Sequence, residues 1–382
     1  MESMVYMDYA ATTGLDREAL DIMAKYSLDF FGNPSSVYSF SRESKKIIDE
    51  TRQVIGGFIN APFKDIYFTS GATESNNWAI RGIMEANKEK GKHMITTKIE
   101  HHATLRTCEY LEDNGYDVTY LPVDCEGKIS LTELKKHIRE DTVLISLIFA
   151  NNEVGSVQPI KEVGKICAKK DILFHTDAVQ AIGHVPIDVE SYGIDLLSFS
   201  AHKLHGPKGL GGLYIKNGLN IKPLIYGGAQ QNYKRAGTEN LPAIAAFKVA
   251  FENLIKLFEE ENNRFREYRN KLYEGLCGLE GVWYNGPEEE HFKISNILNV
   301  GFEDIESESL LLALDQENIM VSAGSACASG ALDPSHVLTA MGLDEDRALA
   351  SLRFSIGRYT TEDEIDYVIK TVCEKVRFLR TL

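Results

Sequence analysis

SFSAHKLHGPKG, residues 198–209, is the segment around which the rest of the chain is organised. The apolar residues 194–199 lead into it, and a Gly-Pro-Lys-Gly turn closes it at residues 206–209. This pattern predicts a buried strand that ends by delivering Lys203 to a pocket. A lysine that acts as a nucleophile or base near neutral pH needs its pKa lowered by burial or by a cationic neighbour. The alternative is a surface lysine beside a turn, so the rest of the chain must decide.

The composition is that of an acidic globular protein. The chain has 382 residues, 43% hydrophobic and 25% charged, with a formal net charge of −15. The length predicts about two or three domains, and the charge argues against nucleic acid or an anionic membrane as the main partner. The N-terminus has no basic segment or long apolar run, so we expect a soluble, cytoplasmic protein. The six scattered cysteines lack a CxxC pair, which predicts neither a disulfide framework nor a zinc site.

Strand-like and helix-like segments alternate between residues 54 and 215. Apolar runs lie at residues 66–68, 94–97, 118–121, 143–149, 172–174, 196–199 and 212–215, and helical patterns such as 74–84 and 103–114 separate several of them. The alternation predicts an α/β fold with a mainly parallel seven-stranded sheet and helices on both faces. Ligands of such sheets bind beyond the carboxyl ends of the strands. The residues that follow each run are therefore candidates for a site.

Polar residues follow five of these runs. Small residues around Ala72 and Thr73 open a helix whose free amides could hold a phosphate, although an ordinary N-cap is the alternative. His101 could stack on a cofactor ring or move protons, and Asp177 could pair with a pyridinium nitrogen or cap a helix. With Asn152 and Lys203, these residues are hard to explain as caps alone. Together they favour a pyridoxal phosphate (PLP) site in which Lys203 forms a Schiff base.

The second half of the chain predicts a smaller α+β domain. A long helical pattern runs from Pro242 to about Leu272, and we place the domain boundary within it. Strands are predicted at 296–302, 319–322 and 352–355, and helices at 307–318 and after a capping box that starts at Thr361. The predicted large domain comprises residues 13–257, and the small domain comprises residues 1–12 and 258–382.

Two residues of this second domain are candidates for chemistry. Cys327 lies among small residues in AGSACASG (323–330), a predicted accessible loop. A free cysteine is more often a small hydrophobic residue than a nucleophile, but reactive cysteines tend to be accessible, so we single out Cys327 against that base rate. Arg353 lies in an apolar strand, where a guanidinium needs a carboxylate partner. That partner is either a substrate carboxylate held in a bidentate fork or an internal salt bridge, and the sequence leaves both open.

Ten motifs together resemble the NifS/IscS-type cysteine desulfurases, which are PLP enzymes of the class-V aminotransferase family with the aspartate-aminotransferase fold (fold type I). They are MDYAATT (7–13), GNPSS (32–36), FTSGATESNN (68–77), EHHA (100–103), NNEVG (151–155), HTDAVQ (175–180), SFSAHKLHGPKG, RAGTEN (235–240), GSACASG (324–330) and LRFSIGR (352–358). The resemblance covers nearly the whole chain. The SFSAHK and GSAC strings, in this order, are its most specific parts.

The resemblance implies a role for each matching position. Lys203 forms the Schiff base with PLP and removes the substrate α-proton, and Cys327 attacks the substrate sulfur and becomes a persulfide. His101 stacks on the ring and serves proton transfers, while Asp177 pairs with the pyridine nitrogen. The other implied contacts are with the ring hydroxyl (Gln180), the phosphate (Ala72, Thr73, Ser200, His202 and, from the other subunit of a homodimer, Thr238) and the substrate L-cysteine (Asn33, Asn152 beside the cofactor, and Arg353).

The implied activity converts L-cysteine to L-alanine and passes the sulfur to an acceptor protein, for iron–sulfur cluster assembly or tRNA thiolation. No resident metal is expected, apart from a cluster that Cys327 would share transiently with a scaffold. The chain ends soon after its last predicted helix, where many IscS-type members carry a tail that helps to hold such a scaffold. A tRNA-thiolation enzyme is therefore an equally good acceptor. The family often reads Gly-Gly-Gly-Gln-Glu where this chain reads Gly228-Ala229-Gln230-Gln231, and we expect little effect on catalysis.

The alternative activities share the fold and the lysine. They are selenocysteine lyase and cysteine-sulfinate desulfinase, and the preference for cysteine over selenocysteine would separate them. An ordinary aminotransferase has no use for Cys327. A non-catalytic scaffold is disfavoured because Lys203, Asp177, His101 and Cys327 are all present.

Overall fold

The structure is a computed structural model that describes residues 4–323 and 333–381. The described chain starts with a short strand, β1 (Val5–Tyr6), and two helices, α1 (Arg17–Leu28) and α2 (Ser41–Ile59). Both helices pack against a much longer helix from later in the chain. In α2 the buried residues Ile47, Ile48, Ile55 and Ile59 recur at helical spacing and face the core.

A seven-stranded sheet forms the centre of the fold. Its strands are β2 (Ile66–Thr69), β3 (His93–Thr97), β4 (Asp117–Leu121), β5 (Thr142–Ile148), β6 (Leu173–Asp177), β7 (Leu196–Ser200) and β8 (Gly211–Ile215). Their order across the sheet is β2-β8-β7-β6-β5-β3-β4. Strand β8 is antiparallel to both its neighbours, and the other pairs are parallel. The prediction of a mainly parallel seven-stranded sheet is therefore confirmed.

Helices cover both faces of this sheet, as the alternating pattern predicted. They are α3 (Ala72–Ala86), α4 (His102–Asp113), α5 (Leu131–His137) and α6 (Ile160–Lys170). One buried cluster includes Trp78 and Ile80 of α3, and another, on the opposite face, includes Phe174 and Phe199. Strand β8 carries glycine where a side chain would collide, because a Cβ at Gly212 would lie 2.2 Å from the Phe199 ring.

A 36-residue helix, α7 (Leu241–Leu276), joins the two cores. The Asn240 side chain caps it by accepting a hydrogen bond from the Ala243 amide. Phe247 and Phe251 near its start are buried in the core of the large sheet, whereas Phe265 and Leu272 are buried in a second cluster. The predicted long helix is present and extends one turn further. The boundary that we placed between residues 257 and 258 stays a prediction.

The second cluster belongs to a smaller α+β unit. It contains β9 (Val282–Tyr284), β10 (Ile297–Phe302), α8 (Ser307–Asp315), β11 (Ile319–Met320), α9 (His336–Ala340), α10 (Glu345–Leu349), β12 (Ser351–Ser355) and α11 (Glu362–Leu379). Strands β12, β10 and β9 form an antiparallel sheet, and β1 pairs in parallel with β11. The predicted capping box at Thr361 and Glu364 is present. Helix α8 ends three residues earlier than predicted, and Asn318 turns into the left-handed region with φ 58°.

Candidate active site

A cavity of about 580 Å³ opens at the carboxyl ends of the parallel strands, where the sequence predicted it. Ten of the predicted site residues line it: Ala72, Thr73, His101, Asn152, Asp177, Gln180, Ser200, His202, Lys203 and Arg353. Asn33 and Thr238 are exposed and are not among the described residues that line this cavity. Cys327 lies outside the described residues.

Lys203 enters the cavity from a short turn, Ala201–Lys203, directly after β7. Its Nζ donates hydrogen bonds to the backbone carbonyl oxygens of Ala10 and Ala11, the latter at 2.6 Å. Gln180 Nε2 donates to the same Ala10 oxygen at 2.8 Å. The segment after β1 therefore lines the cavity and binds the lysine amine through its backbone carbonyl groups.

Asp177 is the last residue of β6, and its carboxylate is almost fully buried, with 4% of the residue exposed. One oxygen accepts from Asn76 Nδ2 at 2.6 Å, and the other accepts from the Val179 amide at 3.0 Å. The capping alternative for Asp177 is thus partly realised, in a turn rather than a helix. Both of these donors are neutral amides, and the carboxyl group lines the cavity.

His101 caps α4, because its Nδ1 accepts a hydrogen bond from the Ala103 amide at 3.0 Å. That bond leaves Nε2 to carry the proton of the neutral ring. Burial lowers the pKa of His101; the charge of Asp177 acts to raise it, and that of Lys203 acts to lower it further. His101 is therefore neutral near pH 7, as a group that stacks on a ring or relays a proton should be.

The start of α3 lines the cavity with the backbone of Gly71, Ala72 and Thr73. Its N-cap is Gly71, with φ 156° and no side-chain cap hydrogen bond, so the alternative of an ordinary side-chain N-cap at this helix is wrong. The first amides of a helix lack intrahelical acceptors and carry the positive end of its dipole. Gly211 lies so close that a Cβ there would be 2.7 Å from Gly71 Cα. Only glycine lets β8 pass beneath this turn.

Arg353, on β12, is 2% exposed and forms the internal salt bridge that the sequence left open. Its Nη2 donates to Asp8 Oδ1 at 2.6 Å, and its Nη1 donates to the Asn152 carbonyl at 2.9 Å. Its buried Nε has no hydrogen-bond partner among the residues that the structure describes. A guanidinium has five N–H donors, so this side chain retains donors for a substrate carboxylate.

Sequence reasoning missed three supporting residues. Asp8 lies inside the MDYAATT motif, after a short apolar run (residues 4–7) outside the alternating segments that were searched, and Asn76 lies inside a predicted helix (74–84) rather than at the end of a run. Glu74 opens α3 and forms a bidentate ion pair with Arg235, at 2.8 and 3.0 Å. An acidic residue in the first turn of a helix, with an arginine in a glycine-rich loop, could have suggested that pair.

Comparison with known proteins decides the family, since the aminotransferase class-V profile matches residues 5–368. The chain belongs to the class-V aminotransferase family. A "Cysteine desulfurase IscS" of Clostridium botulinum (strain Hall) is 49% identical over 383 residues, covering 100% of this chain and 96% of that protein. One of the same name from Methanosarcina thermophila is 50% identical over 378 residues, covering 99% of this chain and 93% of that one.

A solved structure described as a "NIFS-LIKE PROTEIN" superimposes on this class-V aminotransferase with a TM-score of 0.92. The two are 38% identical, and the match covers 98% of this chain and 100% of the other. The resemblance and the fold class predicted from the sequence are thereby confirmed.

The residues in the cavity fit PLP, the cofactor predicted from the sequence. A lysine amine, a buried carboxylate, a neutral imidazole and a helix N-terminus line one space, and they match the aldehyde, ring nitrogen, ring face and phosphate of that molecule. In the parts of the chain that the structure describes, no cluster of His, Cys, Asp or Glu could hold a metal ion.

Proposed function

We propose that the chain is a PLP-dependent cysteine desulfurase, which converts L-cysteine to L-alanine and keeps the sulfur as a persulfide on Cys327. The observation that carries this proposal is the shared cavity of Lys203, Asp177, His101 and Arg353. Relatives named cysteine desulfurase, about half identical over the whole chain, support it.

The chain offers a holding group for each part of the cofactor. Lys203 Nζ would hold it covalently, and Asp177 would pair with the ring nitrogen. The phosphate would lie at the start of α3, against Ala72, Thr73, Ser200 and His202, and Gln180 would contact the ring hydroxyl. Burial, with the charges of Lys203 and Lys208, lowers the pKa of His202 to about 4, so this ring is neutral. When bound, PLP supplies an electron sink that makes the Cα–H bond of an amino acid acidic.

Arg353 and Asn152 would orient the substrate, with Asn33 near the entrance. The guanidinium would receive the α-carboxylate on the donors that Asp8 and the Asn152 carbonyl leave unused. Lys203 Nζ would then take the α-proton. His101, neutral through burial, would stack on the cofactor ring and exchange protons with the substrate from Nε2.

Cys327 would carry the sulfur. As a thiolate it would attack the substrate sulfur, forming an S–S bond while the Cβ–S bond breaks. The electron pair stays on the substrate carbon, which gains a proton and becomes the methyl group of alanine. Covalent geometry supports this role. Ser322 exchanges backbone hydrogen bonds with Arg353, and Cys327 follows five residues later, a span of about 18 Å at most.

The proposal extends to partners and compartment. A homodimer would bring Thr238 to the cofactor of the other subunit. Tyr226 and Tyr233, in the segment that precedes Thr238, are large exposed aromatic residues, which favours a second subunit covering this surface. The sulfur acceptor would be an iron–sulfur scaffold or a tRNA-thiolation enzyme in the cytoplasm. Across residues 4–323 and 333–381, none of the helices combines the length and apolar character needed to cross a bilayer.

The test is to supply purified holoenzyme with L-cysteine and no keto acid, and to measure alanine. We expect alanine and sulfane sulfur in equal amounts, and neither from Lys203→Ala. A Cys327→Ser variant should still exchange the α-hydrogen of L-alanine with solvent, because that step needs Lys203 but not the thiol. Alanine formation that depends on a keto acid would contradict the proposal.

A further inference from the structure

The turn after β5 connects both cores at the edge of the cavity. Asn151 Nδ2 donates to the Ile99 carbonyl at 3.0 Å, and its Oδ1 accepts from the amides of Glu153 and Val154 at 2.8 and 3.0 Å. The Glu153 carbonyl accepts from Asn299 Nδ2, on β10 of the small sheet, at 3.2 Å. The backbone of Glu153 is therefore fixed from both sides.

The side chain of Glu153 then reaches the segment that follows Cys327. The residue is 1% exposed, and its Oε2 accepts a hydrogen bond from Ser335 Oγ at 2.5 Å. Ser335 is the N-cap of α9, and its Oγ also accepts from the amides of Val337 and Leu338. The second carboxylate oxygen, Oε1, has no hydrogen-bond partner within the described ranges.

Neighbouring contacts hold the same segment against the large domain. His336 Nε2 lies 3.0 Å from the Glu100 carbonyl oxygen, and its ring is tilted against that of His102, with centroids 4.8 Å apart. Val337 and Leu338 are 1% exposed and pack in one cluster with Ile99, Ile148 and Val154. Residues 335–338 are thus attached to the loops that carry His101 and Asn152.

The Glu153 side chain is not needed to cap α9, a helix of five residues. A buried polar group is unfavourable unless hydrogen bonds satisfy it, and here one oxygen has a single partner and the other has none among the described residues. The hydroxyl of Ser335 already caps α9 without the carboxylate, because Oγ accepts both amides. What Glu153 adds is a fixed position for Ser335 relative to the cavity.

We propose that Glu153 is a positioning residue for the sulfur-transfer step, acting through Ser335. Cys327 precedes Ser335 by eight residues, so the covalent chain keeps the thiol within about 29 Å of Ser335, and the hydrogen bond from Ser335 to Glu153 fixes that end of the tether relative to the cavity. Glu153 itself lines the cavity, and the role proposed for it is to hold Ser335 rather than to contact the reacting atoms. The inference rests on the proposed function, since it names what places its nucleophile.

The test compares two reactions in the same holoenzyme. Persulfide formation on Cys327 needs the anchor, whereas α-hydrogen exchange of L-alanine needs the cavity alone. In Ser335→Ala and Glu153→Ala we expect the ratio of persulfide rate to exchange rate to fall about tenfold or more. Glu153→Gln, whose amide oxygen can still accept from Ser335, should keep at least a third of that ratio. Ser130→Ala removes a matched serine N-cap, that of α5, and should leave it unchanged.

An unchanged ratio in both alanine variants would overturn the proposal, as would an equal fall of both rates, which indicates general damage. A second readout separates this failure from failure of the proposed function. The rate at which iodoacetamide alkylates Cys327 in the resting holoenzyme should change at least threefold in Ser335→Ala and not in Ser130→Ala. If the wild type forms no persulfide, the proposed function fails, and the alkylation rates still decide whether Glu153 and Ser335 position Cys327.

Discussion

The ion pair between Arg235 and Glu74 allows a test of the proposed phosphate binding at the start of α3. Two N–H groups of Arg235 meet the two carboxylate oxygens at 2.8 and 3.0 Å, and the Ser70 amide donates to Glu74 at 2.8 Å. Burial acts to raise the pKa of Glu74, but Arg235 and the Ser70 amide outweigh it and hold the pKa below its ordinary value. Glu74 is therefore charged, in the first turn of α3, where the phosphate is proposed to bind.

In Arg235→Gln this carboxylate loses its counter-charge. With charge centres about 4 Å apart and an effective dielectric of about 20, the pair attracts with about 4 kcal/mol, part of which desolvation offsets. Glu74 lines the same cavity, and at an effective dielectric of about 20 one uncompensated unit charge repels a dianion within about 17 Å by about 2 kcal/mol or more. That corresponds to a PLP dissociation constant about 30-fold higher. Removing the charge as well, in Arg235→Gln with Glu74→Gln, should recover most of the affinity.

The assay is titration of PLP into apo protein for the wild type, both single variants and the double variant, followed by the absorbance of the bound cofactor. Arg106→Gln is the control, because it breaks an exposed Arg–Glu pair, with side chains 72% and 49% exposed. It should bind PLP as the wild type does. Wild-type affinity in Arg235→Gln, or a double variant no better than that single variant, would refute the electrostatic reasoning.

Three further predictions concern stability, measured by urea unfolding. Burial raises the pKa of Glu100 to about 8, so Glu100 holds a proton in the folded protein that it releases in the unfolded chain. Between pH 7 and 9 the free energy of unfolding of the wild type should therefore fall by about 1.4 kcal/mol, and that of Glu100→Gln should not. Burial lowers the pKa of His175 to about 3, so stability present above pH 6.5 should fall by about 1.4 kcal/mol per pH unit on acidification towards pH 4, and less steeply in His175→Gln. Gln231 bonds both the amide and the carbonyl of Phe68, at 2.6 and 2.7 Å, so Gln231→Ala should cost about 2–4 kcal/mol.

Each of these has a result that contradicts it. If the free energy of unfolding changed equally with pH in Glu100→Gln and in the wild type between pH 7 and 9, burial would not be keeping Glu100 protonated. If the free energy of unfolding fell equally steeply on acidification in His175→Gln and in the wild type, the His175 ring, which is hydrogen-bonded to Ser146 and Ser198, would not be kept neutral by burial. A cost below about 1 kcal/mol for Gln231→Ala would mean that the two Phe68 groups find other partners.

The sequence predicted the sheet because its strands are short apolar runs, and it predicted the cavity because polar residues follow those runs. Even the antiparallel direction of β8 was accessible. The ten residues 201–210 that separate β7 from β8 are too few for a crossover to a parallel neighbour.

The supporting contacts were not accessible, because they join residues far apart in the chain. Asp8 meets Arg353 across 345 positions, Asn76 meets Asp177 across 101, and Gln231 meets Phe68 across 163. No local pattern specifies such pairs. The choice between a substrate and a salt bridge for Arg353 therefore needed the fold, which shows the salt bridge and leaves donors for the substrate.

The transfer of sulfur to Cys327 can be measured directly as a change in the mass of the peptide that contains it. Holoenzyme is exposed briefly to L-cysteine, thiols are trapped by alkylation, and the mass of the peptide that contains Cys327 is determined. Cys327 should carry one extra sulfur atom in the wild type and none in Lys203→Ala. An unmodified Cys327 in a wild type that holds PLP and consumes L-cysteine would contradict it.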